Sequence, residues 1–170
     1  GLRPFRVGDQ ELFFGRSSQS ARLASAVLEL AGTRGTGMLA LVGASGSGKS
    51  SLLAAGLLGR EITSGPLAGW SGTILSVIRL LADDAPVAEG PEGRRLVVVD
   101  QLEEAFALPE AARAQFLATL AALADQAVVV LGMRSDAFAA ASAEPLLEEA
   151  LSHPVLLPAL TPDEFHDVIV

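Results

Sequence analysis

The sequence predicts an α/β fold in which helices cover both faces of a parallel five-stranded sheet. Five short apolar runs have the character of strands that are buried on both faces. They span residues 38–42, 73–78, 96–99 and 128–131 and Val155–Leu157. Segments with helical spacing of apolar residues lie among these runs. Because strands that alternate with helices form right-handed β-α-β units, we expect a three-layer architecture.

The helical segments are recognised by their spacing and by their ends. Residues 17–30 and 50–58 carry Leu, Val and Ala at helical intervals, and the turn formers of residues 32–37 are expected to end the first helix. Pro109 can open a third helix, because proline fits the first helical turn. The apolar stripe of that helix consists of Phe116, Leu117, Leu120 and Leu123.

The composition excludes several classes of protein. The chain has 170 residues, about half of them apolar, which is enough for one domain with a buried core. Its net charge of −8 and scattered arginines argue against a nucleic-acid groove. It contains no cysteine and no apolar run near the roughly 18 residues of a membrane span, so we expect a cytoplasmic protein. We interpret the chain as a piece of a longer polypeptide, because it begins without Met and ends within a helical pattern.

A glycine-rich segment follows the first predicted strand and precedes a predicted helix. Its residues are Gly43, Ala44, Ser45, Gly46, Ser47, Gly48, Lys49 and Ser50. They match G-x-x-x-x-G-K-[ST] at every fixed position, in the strand and helix context that this motif requires. Such a loop curls so that successive backbone N–H groups point at phosphates, and the helix dipole favours the same anions. We therefore predict a phosphate loop, with Lys49 at the β- and γ-phosphates and the Ser50 hydroxyl on Mg²⁺.

The distribution of basic residues supports this prediction. Of the twelve basic residues in the chain, only Lys49 is a lysine. A compact ammonium approaches phosphates more closely than the planar guanidinium of Arg. The next residue, Ser51, has two interpretations: its hydroxyl either contacts the α-phosphate or caps the start of the helix.

An acidic residue ends the third predicted strand. Asp100 follows apolar residues 96–99 in the form of a Walker B segment, whose Asp holds Mg²⁺ directly or through water. Gln101 comes next, and an amide can position an attacking water but cannot take its proton. Glu103 or Glu104 could act on that water if the chain turns tightly after the strand, but both are also typical of a helix start. Any hydrolysis is therefore expected to be slow.

A second polar cluster follows the fourth predicted strand. Residues 128–131 lead to Arg134 and Asp136, and the C-terminal ends of parallel strands line the ligand crevice of an open α/β sheet. Arg134 can sense the γ-phosphate from this position. The alternative is an ion pair between Arg134 and Asp136 at the surface.

Six segments distributed over the chain match the pattern of one family. They are residues 1–5, 13–16, 43–57, 99–104, 133–136 and 157–165. In this combination the chain resembles the STAND NTPases, and specifically the first of the novel STAND groups of bacterial multidomain proteins. Leu102 stands where that family has Phe, and residues 58–95 are shorter than is usual for it, which leaves the helix between the second and third strands undetermined.

The resemblance implies an AAA+-like P-loop NTPase whose sheet order is 5-1-4-3-2 and whose ligand is Mg-ATP. It also implies a switch in signal transduction, with fused effector and sensor domains and nucleotide-dependent self-association. Gly15 and Arg16 would lie on the adenine side, with Phe14 as a further contact. Residues 1–37 would form the N-terminal segment and helix, residues 38–160 the NTPase core, and residues 161–170 the start of a helical lid.

Other nucleotide-binding classes fit the residues less well. A small GTPase needs a second Lys for its guanine-reading N-K-x-D motif, and an ABC-type ATPase needs an L-S-G-G-Q motif; the chain has neither. The remaining alternative is a regulatory module that binds nucleotide without hydrolysing it. Gln101 favours that alternative, whereas Glu103 and Glu104 favour hydrolysis.

Overall fold

The computed structural model describes residues 16–82 and 94–158. Five strands in these residues form one parallel sheet with the order β2-β3-β4-β1-β5. The strands are β1 (Gly37–Gly43), β2 (Ser71–Ser76), β3 (Arg95–Asp100), β4 (Val128–Arg134) and β5 (Val155–Leu157). The predicted α/β fold is thus confirmed, and the strand order counted from β5 is the 5-1-4-3-2 order that the family resemblance implies.

Helices connect the strands on both faces of the sheet. They are α1 (Ser17–Arg34), α2 (Lys49–Ser51) with its π-helical continuation Leu52–Glu61, α3 (Val77–Leu81), α4 (Glu103–Phe106), α5 (Glu110–Ala124), α6 (Phe138–Ser142) and α7 (Glu148–Ser152). Two short 3-10 turns, Ser135–Ala137 and Pro145–Leu147, lie on either side of α6. Among the helices of the two described ranges, none combines the length and the apolar character that crossing a membrane would require.

Each face of the sheet buries its own hydrophobic core. Leu39 and Leu41 of β1 pack with α1 and the π-helical stretch, whereas Ala40 and Val42 belong to the core on the α5 side. This alternation follows from the two-residue period of a strand. Phe116 of α5 is fully buried, and burying a side chain of this kind contributes about 1.5–3 kcal/mol. The phosphate loop therefore leaves a strand that is anchored on both faces.

Two predicted boundaries are wrong for identifiable reasons. Helix α1 continues through Gly32 and ends at Gly35, whose φ of 81° is a left-handed conformation that glycine adopts without strain. Strand β2 ends at Ser76 rather than at residue 78, because Ser76 Oγ accepts a hydrogen bond from Arg79 N (3.3 Å) and caps α3. The exposed Ile78 therefore belongs to a helix between the second and third strands.

A buried polar contact joins α1 to the helix that follows the phosphate loop. Ser20 Oγ donates a hydrogen bond to Glu61 Oε1 at 2.7 Å. The two residues are 0% and 3% exposed, so this bond forms away from water. Removing one partner of a buried bond leaves the other unsatisfied, which costs more than an exposed bond contributes. The contact therefore fixes α1 against the last turn of the helix.

We expect Ser20→Ala to lower the free energy of unfolding by about 1–3 kcal/mol, because the Glu61 carboxylate loses its buried donor. Urea unfolding at neutral pH measures this loss. Ser25→Ala is the matched control, since Ser25 lies exposed on the same helix and donates only to Ala21 O; its effect should stay within about 0.5 kcal/mol. Equal losses in the two variants would contradict a special role for the buried contact.

Candidate functional site

The loop between β1 and α2 is tightly curled, and three of its glycines are required by its geometry. Gly46 and Gly48 have φ values of 72° and 80°, which side-chain-bearing residues rarely adopt. A Cβ on Gly43 would lie 2.9 Å from Ser47 Oγ and 3.0 Å from Leu157 O, closer than ordinary contacts allow. The loop thus begins in close contact with the end of β5.

The Lys49 ammonium lies at the centre of this loop. Its Nζ donates to Gly43 O at 2.9 Å and to Ala44 O at 2.8 Å, and the residue is only 9% exposed. Burial lowers the pKa of Lys49 from its ordinary value of 10.5, while the Glu103 and Asp100 carboxylates act in the opposite direction. The ammonium is thus bound by two loop carbonyls and lies within the electrostatic reach of nearby acids.

The serines of the loop differ in their exposure. Ser45 is exposed at the tip of the loop, and Ser50 and Ser51 are half-buried. Ser47 Oγ is buried and has no hydrogen-bond partner in the parts of the chain that the structure covers. Because buried polar atoms are nearly always paired, this hydroxyl is suited to a ligand oxygen. The loop therefore combines a buried ammonium with a buried hydroxyl that has no partner among the described residues.

Asp100 lies at the C-terminal end of β3, two strands away from β1. Its Oδ1 accepts a hydrogen bond from Gln101 N at 3.0 Å, which fixes the carboxylate. A Cβ on Gly132 of the neighbouring β4 would lie 3.0 Å from Asp100 Oδ1. Glycine at this position therefore lets the carboxylate approach the strand that separates it from the phosphate loop.

The structure distinguishes the two glutamates that sequence analysis left equivalent. Glu103 is half-buried, and its Oε2 accepts a hydrogen bond from Arg134 N at 3.2 Å. Arg134 is the register partner of Gly43, whose carbonyl binds Lys49 Nζ. Of the charges that act on the pKa of Lys49, Glu103 has the largest effect, and the exposed Glu104 is not among them. Only Glu103 is thus brought to the phosphate loop.

Arg134 forms the ion pair that sequence analysis gave as its alternative role. Its Nε donates to Asp136 Oδ1 at 3.0 Å and its Nη2 donates to Asp136 Oδ2, and this carboxylate raises the pKa of the guanidinium. The guanidinium is also close enough to Lys49 to contribute to the lowering of its pKa. Arg134 therefore lies at the edge of the site, and contact with a γ-phosphate stays a prediction.

The N-terminal side of the site is formed by α1 and the end of β5. Arg16 is 2% exposed, and its Nη2 donates to Pro158 O at 3.1 Å. Pro158 also borders a cavity of about 260 Å³. The other lining residues are Ser18, Gln19, Arg22, Leu41, Leu52, Val155, Leu156 and Leu157. The predicted contacts Phe14 and Gly15, and the predicted lid at residues 161–170, lie outside the described residues.

Gln19, Arg22 and Pro158 are residues of this cavity that sequence analysis missed. Gln19 and Arg22 belong to no motif, and Pro158 lies in the matched segment 157–165 without having been predicted as a contact. The three residues meet because the first turns of α1 lie beside the end of β5. Within residues 16–82 and 94–158, no three or more His, Cys, Asp or Glu side chains are grouped so that they could hold a metal ion. The two residues that were predicted to hold Mg²⁺, Ser50 and Asp100, carry a hydroxyl and a carboxylate, which are oxygen donors of the kind that this ion prefers.

Comparison with known proteins assigns the family. The model of the novel STAND NTPase 1 family matches residues 1–76 and 71–170, which together span the whole chain. The chain belongs to this family. It is therefore a nucleotide-binding NTPase. No curated protein matches the sequence.

Among solved structures, a Walker-type ATPase of Pyrococcus abyssi has the same fold. Its TM-score is 0.58 at 17% sequence identity, and the match covers 99% of this chain and 60% of that one. At this identity the likeness concerns the fold alone. This STAND domain thus spans 60% of the length of the ATPase that it resembles.

The lowered pKa of Lys49 makes stability depend on pH in the alkaline range. Between that pKa and about 10.5 the unfolded chain binds more protons than the folded one, so the free energy of unfolding should rise with pH in this window. The chain has no Tyr, no Cys and no other Lys, so no other side chain titrates there. Chemical unfolding at a series of alkaline pH values measures the slope. Lys49→Met should remove it, and a wild-type stability that falls across the window would contradict the prediction.

Proposed function

We propose that this domain binds Mg-ATP, hydrolyses it slowly, and acts as a nucleotide-dependent switch in a bacterial signal-transduction protein. One observation carries the proposal. Glu103 Oε2 accepts a hydrogen bond from Arg134 N, Arg134 is the register partner of Gly43, and the Gly43 carbonyl binds Lys49 Nζ, while Asp100 ends the nearby strand β3. An ammonium for phosphates, an acid for the metal and a second acid for water are the groups that phosphoryl transfer to water requires.

The phosphates would bind where Lys49 now contacts the loop. Lys49 Nζ would exchange the carbonyls of Gly43 and Ala44 for phosphate oxygens, and the backbone of Gly46 and Gly48 would supply N–H donors. The buried Ser47 hydroxyl, which has no other partner among the described residues, supports an oxygen ligand on this side. Ser45 and Ser51 flank the same space and are proposed as further contacts.

Ser50 and Asp100 would hold the Mg²⁺ ion. Hydroxyl and carboxylate oxygens are donors that this ion prefers, and it typically takes only one or two protein ligands while keeping waters and phosphate oxygens. Both residues are half-buried, and the Asp100 carboxylate is fixed by its bond to Gln101 N. When bound, the ion would neutralise phosphate charge and orient the leaving group.

Glu103 is our candidate for the group that orients and deprotonates the attacking water. Arg134 N holds one of its oxygens, so the carboxylate has a fixed orientation beside the loop. Arg134 would turn its guanidinium from Asp136 towards the γ-phosphate and stabilise the charge that develops there. Gln101 occupies the position directly after Asp100 and has no basic group, which supports a low turnover.

The base of the nucleotide would lie near the cavity between α1 and β5. Arg16 and Gly15 are proposed as contacts on this side, and the bond from Arg16 to Pro158 O fits a role in shaping the cavity wall. Adenine is favoured over guanine because the chain lacks the N-K-x-D motif. Fused effector and sensor domains, nucleotide-dependent self-association and a cytoplasmic location are proposed from the family resemblance.

A nucleotide-binding module that does not hydrolyse ATP is the second candidate function. The observation that favours it is Gln101, which is exposed and replaces an acid directly after Asp100. In that case Glu103 would serve only to stabilise the charge of Lys49. Binding would then be required for the switch, and turnover would not.

We expect Mg-ATP and Mg-ADP to raise the thermal unfolding temperature, and Mg-GTP to leave it unchanged. A ligand that binds only the folded state stabilises it by about 2.7 kcal/mol at one hundred times its Kd. Lys49→Ala should abolish the shift, because the ammonium that meets the phosphates is lost. Arg60→Ala is the control, since it removes an exposed cation from the same helix. An unchanged shift in Lys49→Ala would overturn the assignment of the phosphate site.

Single-turnover hydrolysis separates the two functions. We expect Glu103→Gln to lower the rate about 100-fold or more while nucleotide affinity is retained, because the amide cannot accept the proton of water. Glu104→Gln is the matched control and should retain the wild-type rate, since Glu104 is exposed. No hydrolysis in the wild-type protein would favour the non-hydrolysing module. A loss of activity confined to Glu104→Gln would show that Glu104, and not Glu103, acts on the attacking water.

A further inference from the structure

The residue after Asp100 has a backbone conformation that its type rarely adopts. Gln101 has a φ of 59°, and among the described residues it is the only non-glycine with positive φ. In this left-handed region the Cβ crowds the carbonyl oxygen, so a residue such as Gln enters it at a cost. Such strain persists only where neighbouring contacts impose it, and it is concentrated at functional sites. The conformation of Gln101 is therefore expected to be imposed by the contacts around it.

Hydrogen bonds hold the Gln101 turn at both ends. Gln101 N donates to Asp100 Oδ1 at 3.0 Å, and Gln101 O accepts a bond from Glu104 N at 3.0 Å. Leu102 N donates to Gly132 O of β4 at 2.9 Å, and the Leu102 side chain is buried in the core. These contacts involve the backbone of Gln101, whereas its side chain is exposed.

The turn changes the direction of the chain at the point where β3 reaches the site. Register pairing between β3 and β4 ends at Val99 and Leu131, so an extended Gln101 would continue alongside β4. The left-handed turn instead brings Leu102 N to Gly132 O of β4 and leads the chain into α4. It places Glu103 at the start of α4, with its carboxylate on Arg134 N.

We propose that Gln101 is a positioning residue: its left-handed backbone, rather than its amide side chain, carries Glu103 across β4 to the phosphate loop. This inference rests on the proposed hydrolytic role of Glu103. With this turn, Glu103 takes the role in activating water that an acid directly after Asp100 would otherwise have. It also assigns no contact with water or nucleotide to the Gln101 amide.

Three substitutions in the full chain test the inference, because each removes the amide but tolerates the left-handed backbone differently. Glycine adopts this conformation freely, alanine less readily, and β-branched valine least. We expect kcat for ATP hydrolysis to stay within about twofold in Gln101→Gly, and to fall about tenfold or more in Gln101→Val, with Gln101→Ala between them. The Kd for Mg-ATP should stay within about threefold in all three, because the phosphate loop is untouched.

A double variant shows whether the effect passes through Glu103. If the turn acts only by placing this carboxylate, Gln101→Val combined with Glu103→Gln should be no slower than Glu103→Gln alone. Additive losses would overturn the inference, as would a Gln101→Gly variant that loses as much activity as Glu103→Gln. If Gln101→Val fails to fold, equal rates in Gln101→Gly and Gln101→Ala would also contradict it.

The inference can fail separately from the proposed function. Unchanged hydrolysis in Glu103→Gln would overturn the role of Glu103 and this inference with it. A large loss in Glu103→Gln together with a wild-type rate in Gln101→Val would overturn the inference alone. The Kd for Mg-ATP, measured in every variant, shows whether the nucleotide site itself is intact.

Discussion

The rest of the site depends on one buried charge, the Lys49 ammonium at the C-terminal edge of the sheet. Removing the charge of Lys49 from water is costly, and two loop carbonyls and acids from the neighbouring strands offset only part of that cost, so the pKa of Lys49 is lowered. The loop can supply those carbonyls only because Gly46 and Gly48 adopt left-handed conformations. The same arrangement that stabilises the ammonium leaves it ready to bind phosphate oxygens.

Strand order determines how the acids reach that charge. Because β4 lies between β3 and β1, an acid that follows β3 must extend across the end of β4. Gly132 permits this crossing, since a side chain there would meet Leu53 and the Asp100 carboxylate. Its carbonyl also accepts the hydrogen bond of Leu102 N. A residue without a side chain in the strand between them thus allows the metal-side acid and the loop to form one site.

The groups for binding and the groups for hydrolysis are supported by different parts of the fold. In the proposed site, phosphate binding depends on one continuous segment, residues 43–50, whose geometry is local. The groups proposed to act on the attacking water depend on a turn at Gln101 and on a hydrogen bond between Glu103 and Arg134, which are 31 positions apart. Under the proposed function, small changes in the second set would alter turnover while affinity is preserved, as a nucleotide-dependent switch requires.

The sequence by itself determined the strands, the phosphate loop, the single Lys and the acid at the end of β3, because these features depend on local periodicity and on motifs of fixed spacing. It also predicted the order of the sheet through the family resemblance. Only the tertiary structure distinguished Glu103 from Glu104, since their difference arises from a left-handed turn and a bond to another strand. The structure also selected the Arg134–Asp136 ion pair, which the sequence had offered as one of two roles for Arg134. The Ser20–Glu61 contact and the cavity beside Pro158 were decided by packing, because each joins side chains whose proximity no local pattern encodes.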